Sequence, residues 1–211
     1  MPETTDPTFY RTPGEAIAAP PEQLAYVAAY DPTGRSKDAM AVLDTDPSSP
    51  DYGQVVGWSE LPTAGNELHH FGWNACSSAL CHQGHGDHGT PLERRYLIVP
   101  GIRSSRTYVL DTRPDPRNPQ VVREITAEEL AAKAGYSRPH TVHCGPGGIF
   151  LFNLGGANGN DGPAGSPCST TTPSTSSAPG STTAATSTSA TTAGGTSTTT
   201  PSSPPNGPPR P

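Results

Sequence analysis

The last part of this chain is defined by what it lacks. Ser166–Pro211 contains no aromatic residue, no Leu, Ile or Val, and one charge, Arg210. A Ser/Thr/Pro/Ala/Gly segment of this kind buries too little apolar surface to offset the entropy of ordering it, so disorder is predicted from Ser166. Function is therefore sought in residues 1–165, a first domain, with 166–211 as tail. A mucin-like stalk or linker is the ordinary reading of such a tail. A shifted reading frame in a GC-rich gene is the one favoured here. Read one nucleotide earlier, Ser166–Ser177 can decode to Ile-Ala-Leu-Leu-Asp-His-Asp-Thr-Phe-Asp-Val-Leu, and Thr192–Thr200 and Pro201–Pro208 decode to similarly protein-like stretches. The tail is expected to be out of frame.

Other absences exclude whole classes of protein. No apolar run approaches the ~18 residues of a membrane span, and Met1–Thr12 lacks the pattern of a secretory signal. The chain has 19 acidic against 13 basic residues, net charge -6, which gives no reason to expect nucleic acid or a membrane surface as partner. There is no G-x-S-x-G, no phosphate loop and no dinucleotide fingerprint. No C-x₂-C is followed by H-x₃₋₅-H, so no standard zinc finger is present. The first domain holds Cys76, Cys81 and Cys144, with Cys168 in the tail. An odd count without a signal predicts reduced thiols in a cytoplasmic protein.

What is present is a repeat. Ala41–Thr45, Pro47, Pro50 and Gln54–Val56 are echoed by Tyr108–Thr112, Pro114, Pro116, Pro119 and Gln120–Val122. Each copy reads as a strand ending in Asp, a Pro-rich turn and a second strand, hence a β-hairpin. Repeated hairpins point to an all-β fold built from β-propeller blades. Further strands are predicted at Leu24–Tyr30, Tyr96–Val99 and Gly148–Leu154. One short helix is predicted after Thr126, with Glu129 completing a capping box and Gly135 ending it. It is expected to be a surface insertion.

Histidines and cysteines gather in three places. In Glu67-Leu68-His69-His70-Phe71-Gly72-Trp73-Asn74-Ala75-Cys76-Ser77-Ser78, adjacent histidines on a strand would point to opposite faces unless the backbone bends. Cys81-His82-Gln83-Gly84-His85-Gly86-Asp87-His88 reads as a polar loop, too flexible for a rigid site. In Pro139-His140-Thr141-Val142-His143-Cys144, an irregular turn after Pro139 could bring His140 and His143 together. Imidazole and thiolate suit copper, zinc or iron. Cys76, between Asn and Ser-Ser and close to histidines, is a candidate reactive thiolate.

The motifs Glu67–Ser78, Arg103–Asp111 and Arg138–Cys144 resemble the selenium-binding protein family, which includes methanethiol oxidases; the likeness runs from about Phe9 to Gly162. The resemblance implies a seven-bladed β-propeller, of which this chain would supply incomplete N-terminal blades. It implies oxidation of methanethiol with O2 and water to formaldehyde, hydrogen sulfide and hydrogen peroxide at a copper site. It implies copper on His69, His70, His140 and His143, and selenium on Cys76. The alternative is a protein that carries selenium on Cys76 without catalysis. Blades bury apolar faces against one another, so the chain as written is expected to leave an open face, to fold poorly and to be inactive. Ordered hairpins are expected within Leu24–Leu154.

Overall fold

The computed structural model describes residues 10, 12–76, 93–145, 148–159, 162, 164, 165, 168 and 169. The chain divides into two units, Met1–Ser174 and Thr175–Pro211. The second unit lies outside the described residues, as do the disorder and the frame expected of the tail. Cys81, His82, His85 and His88 lie outside them too.

After a short helix, α1 (Pro13–Ala18), the first unit is built of antiparallel sheets in chain order. The first sheet holds β1 (Leu24–Ala29), β2 (Lys37–Asp44) and β3 (Val55–Ala64). The second holds β4 (Gly72–Trp73), β5 (Tyr96–Gly101), β6 (Arg106–Asp111) and β7 (Gln120–Ile125). Helix α2 (Ala127–Ala134) leads to the third sheet, β8 (Tyr136–Gly145), β9 (Gly148–Gly156) and β10 (Cys168–Ser169). The fold is all-β, and its consecutive meanders are consistent with successive propeller blades. Both repeated hairpins form: β2 pairs with β3 and β6 with β7. Ordered pairing also passes the expected boundary at Ser166, since Cys168 lies opposite Phe150 and Ser169 opposite Ile149.

The middle sheet is apolar on both faces, which explains the unbroken run Tyr96-Leu97-Ile98-Val99. Alternate side chains of a strand leave opposite faces. Leu97, Val99, Tyr108 and Leu110 pack with Met40, Leu61 and Leu68 in one core. Tyr96, Ile98 and Val109 pack with Leu130, Val142, Ile149 and Leu151 in a second. Each fully buried aliphatic chain contributes about 2 kcal/mol. Leu130 belongs to α2 and is 5% exposed, so this helix is a wall of the second core and not a surface insertion.

α2 begins as predicted: the Thr126 hydroxyl accepts from Glu129 N–H at 3.2 Å, and Gly135 ends it at φ 73°. The Glu129 carboxylate does not close the reciprocal box. It turns to Arg123 and Lys133 instead, at 2.5 and 2.7 Å. The Pro-rich turn of the second hairpin rests on the first sheet. Tyr26 OH donates to Pro116 O at 2.8 Å. Gly57 allows the approach, because a Cβ there would meet Arg117 O at 1.7 Å.

Candidate metal centre

The segment that carries His69 and His70 is held by buried polar groups. Asn66 N–H donates to Asp38 Oδ2 at 2.7 Å, and Tyr108 OH donates to Asn66 Oδ1 at 3.0 Å. Asp38, Asn66 and Tyr108 are each fully buried, where an unmet hydrogen bond costs about 1–3 kcal/mol. Arg103 N–H then donates to Asn66 O, Ile102 N–H to Glu67 O, and His69 N–H to Pro100 O, at 3.0, 3.1 and 2.9 Å. Glu67 takes φ 54°, a left-handed conformation that costs a non-glycine residue about 1–2 kcal/mol.

Residues 69–71 are outside any strand. The rule that neighbours alternate faces therefore does not apply, and both histidines reach one site, contrary to the strand expectation. His140 arrives from β8. A strand replaces the irregular turn expected after Pro139, but it carries a bulge: Pro139 lies opposite Asn153 and Thr141 opposite Phe152, leaving His140 as the extra residue. A bulge re-aims a side chain.

The three imidazoles converge. Ring centroids are 4.6 Å apart for His69–His140 and His70–His140, and 5.5 Å for His69–His70. One nitrogen from each lies within 4.8 Å of the others. His70 Nδ1 and His140 Nδ1 are 3.4 Å apart, close to the ~3.3 Å expected between two nitrogens on one tetrahedral metal ion with bonds of about 2.0 Å. Burial, then the neighbouring His69 and His70, pushes the His140 pKa below its ordinary 6.5. It is thus neutral at neutral pH, the form that ligates. The donor set fits a borderline-soft transition metal such as copper.

Polar side chains line the cluster. Thr141 Oγ1 lies 2.8 Å from His140 Nδ1 and 3.5 Å from His70 Nδ1. The Glu67 carboxylate stands 3.8 Å from His69 Nε2 and 2.8 Å from Arg103 Nη2. Glu67 and Thr141 lay inside the recognised motifs, yet nothing in their spacing marked them as supports for the rings. His143 does not join the cluster. It is exposed, and its Nδ1 is 2.6 Å from Cys144 O.

Cys76 is not a free thiolate. It forms a disulfide with Cys144, Cα–Cα 6.3 Å, across a sequence separation of 68. This overturns the expectation of reduced thiols. An odd count cannot show that two of three cysteines meet; the fold brings the segment after β4 beside β8.

Consecutive antiparallel meanders carrying a three-histidine cluster define an all-β protein equipped to hold a metal ion. Residues 3–167 match the family described as 56kDa selenium binding protein (SBP56). The chain belongs to the selenium-binding protein family. It is 45% identical over 154 residues to "Selenium-binding protein 2" of Arabidopsis thaliana, covering 72% of this chain and 30% of that protein. It is 41% identical to "Methanethiol oxidase" of Mus musculus, covering 72% of this chain and 31% of that protein. The X-ray structure of a hypothetical selenium-binding protein from Sulfolobus tokodaii superposes with a TM-score of 0.69 at 53% identity, over 76% of this chain and 35% of that one. The chain thus spans about a third of the length of these relatives. Among the described residues, no helix is long and apolar enough to cross a membrane.

Proposed function

We propose that His69, His70 and His140 form the copper-binding part of a methanethiol oxidase centre. The convergence of three imidazoles within 4.8 Å carries this reading, and the relatives named methanethiol oxidase support it. Copper, when bound, supplies a soft centre for a thiol sulfur and an electron path to O2. The chain's own residues do the holding. His140 offers a neutral ring, Thr141 lines the space beside it, and Glu67, paired with Arg103, stands on the Nε2 side of His69. The overall reaction would convert methanethiol, O2 and water into formaldehyde, hydrogen sulfide and hydrogen peroxide. The site residues stay open to His143, whose ring would have to leave the Cys144 carbonyl to take part. A cytoplasmic location belongs to the same reading.

The test separates binding from turnover. Titration with Cu(II) against a chromophoric chelator should give one copper per chain, lost in His140→Ala. Peroxide release from methanethiol is measured on the same preparation. Copper uptake that ignores His140→Ala would overturn the site. A fully loaded chain that releases no peroxide, even when joined to the remaining length of a relative, would overturn the oxidase reading.

The relatives named selenium-binding proteins support a second reading, with selenium carried on Cys76. Because Cys76 is disulfide-bonded, selenium uptake should require prior reduction and be abolished by Cys76→Ser. Uptake unchanged in that variant would sink it.

A further inference from the structure

The disulfide and the histidine cluster share the same two pieces of chain. His69, His70 and Cys76 lie on the segment around β4, whereas His140 and Cys144 lie on β8. Among the described residues these segments are not paired as strands. They meet through Val142 N–H donating to His70 O at 3.1 Å, and through the close approach of Val142 to Gly72, where a Cβ would stand 3.4 Å from the valine. On the far side of β4, Asn74 accepts from Arg95 and Tyr96 N–H at 3.0 and 2.8 Å. That ties the segment to β5 but not to β8. The covalent link from Cys76 to Cys144 therefore adds to one hydrogen bond and to the second core, where Tyr96 and Ile98 pack with Val142, in fastening the first pair of imidazoles to the third.

We propose that the Cys76–Cys144 disulfide is a redox-operated clamp on the histidine cluster: closed, it holds the two segments in metal-binding register, and opened by a dithiol it lets them part and lowers metal affinity. The chemistry is thiol–disulfide exchange. The Cys76–Cys144 bond breaks, each cysteine gains one electron and one proton, and an external dithiol is oxidised to its own disulfide. Cys76 is half-buried and Cys144 is 5% exposed, so Cys76 is the sulfur an incoming thiolate meets. A metal site needs its ligands pre-positioned, and outer supports are commonly worth 10–100-fold in affinity. The part of the proposal concerning affinity rests on the copper reading above; the part concerning the two segments does not.

Two measurements on the full chain test it. In the first, amide hydrogen exchange is followed in the metal-free protein before and after reduction by a dithiol. Val142 N–H should exchange at least tenfold faster once the bond is open, while amides of the β5–β6 ladder keep their rates. In the second, Cu(II) affinity is compared between the oxidised chain and Cys76→Ser/Cys144→Ser, which opens the clamp without offering thiolates to the metal. The affinity should fall at least tenfold. Unchanged exchange at Val142, or unchanged affinity in the double variant, overturns the clamp. Loss of protection everywhere at once also overturns it, since the bond would then be a staple of the whole fold. If the oxidised chain takes up no copper, the copper reading fails, and the exchange at Val142 still decides the clamp.

Discussion

The two repeated hairpins and the two histidine-bearing segments use irregularity to different degrees. β2–β3 and β6–β7 are continuous antiparallel ladders that absorb their register shifts, at Lys37/Ala39 and Val42/Leu43 in the first and Val109/Leu110 in the second, and each has a strand ending in an aspartate that accepts the N–H two residues on: Asp44 from Asp46 at 2.9 Å and Asp111 from Arg113 at 3.0 Å. The histidine segments depend on departures from regularity. Glu67 has a left-handed backbone, Leu68 forms an isolated bridge to Gly101, His140 sits in a bulge, and a disulfide joins the two pieces. Hairpin pairing makes a scaffold that neighbouring residues can specify. A site that gathers three like rings needs the chain to break pattern, with the strain offset by buried contacts elsewhere.

Four substitutions test that contrast. The largest effect should come from the scaffold core. Leu110→Ala, at a fully buried position, should cost about 3–4 kcal/mol in chemical denaturation; a loss under about 1 kcal/mol would show that the middle sheet is not packed on both sides. Next is the ion pair that joins the start of β5 to the end of β6. Arg95 donates to Asp111 at 2.8 and 2.5 Å, and this bond, ahead of burial, which opposes it, holds the Asp111 pKa below the ordinary 3.8. Arg95→Met strands a buried carboxylate and should cost about 3 kcal/mol at neutral pH. Because the folded pKa is depressed, the pair's stabilisation is complete above about pH 4 and drains away as pH falls through the lower folded value. The variant should lack that acid-dependent loss, and an identical acid limb in both proteins would remove Asp111 from the account.

A smaller effect is expected where scaffold and site meet. Asp38→Ala leaves Asn66 N–H buried without its partner, so it should cost about 2 kcal/mol and also weaken copper binding, because the His69–His70 segment starts there. Stability lost with copper affinity intact would separate the two regions. The smallest effect belongs to the site itself. Glu67→Gln should weaken copper about tenfold, roughly 1.4 kcal/mol, and leave thermal stability almost unchanged. A large drop in melting temperature would make Glu67 part of the scaffold.

Much of this was legible along the chain, and what escaped shares a cause. The Asp-ended strands, the apolar run of β5 and the Thr126 cap depend on residues a few positions apart, so their spacing announces them. The motifs around His69, His70 and His140 were also legible as motifs. Their geometry was not. Whether His69 and His70 face the same way depends on φ at Glu67, and that depends on Asp38 and Tyr108 from other strands. The separation of His140 from His143 depends on where β8 slips against β9.

An all-β chain of repeated hairpins, its histidine motifs and their family can be read from residue order alone, because alternation, turn chemistry and motif spacing are local properties. Contacts between distant segments account for the rest: Cys76 is bonded to Cys144 across a separation of 68, His140 lies with His69 and His70 while His143 turns to the Cys144 carbonyl, and α2 walls a core. Those outcomes turn on which distant segments lie side by side. Packing of the sheets settles that, and no local pattern encodes it.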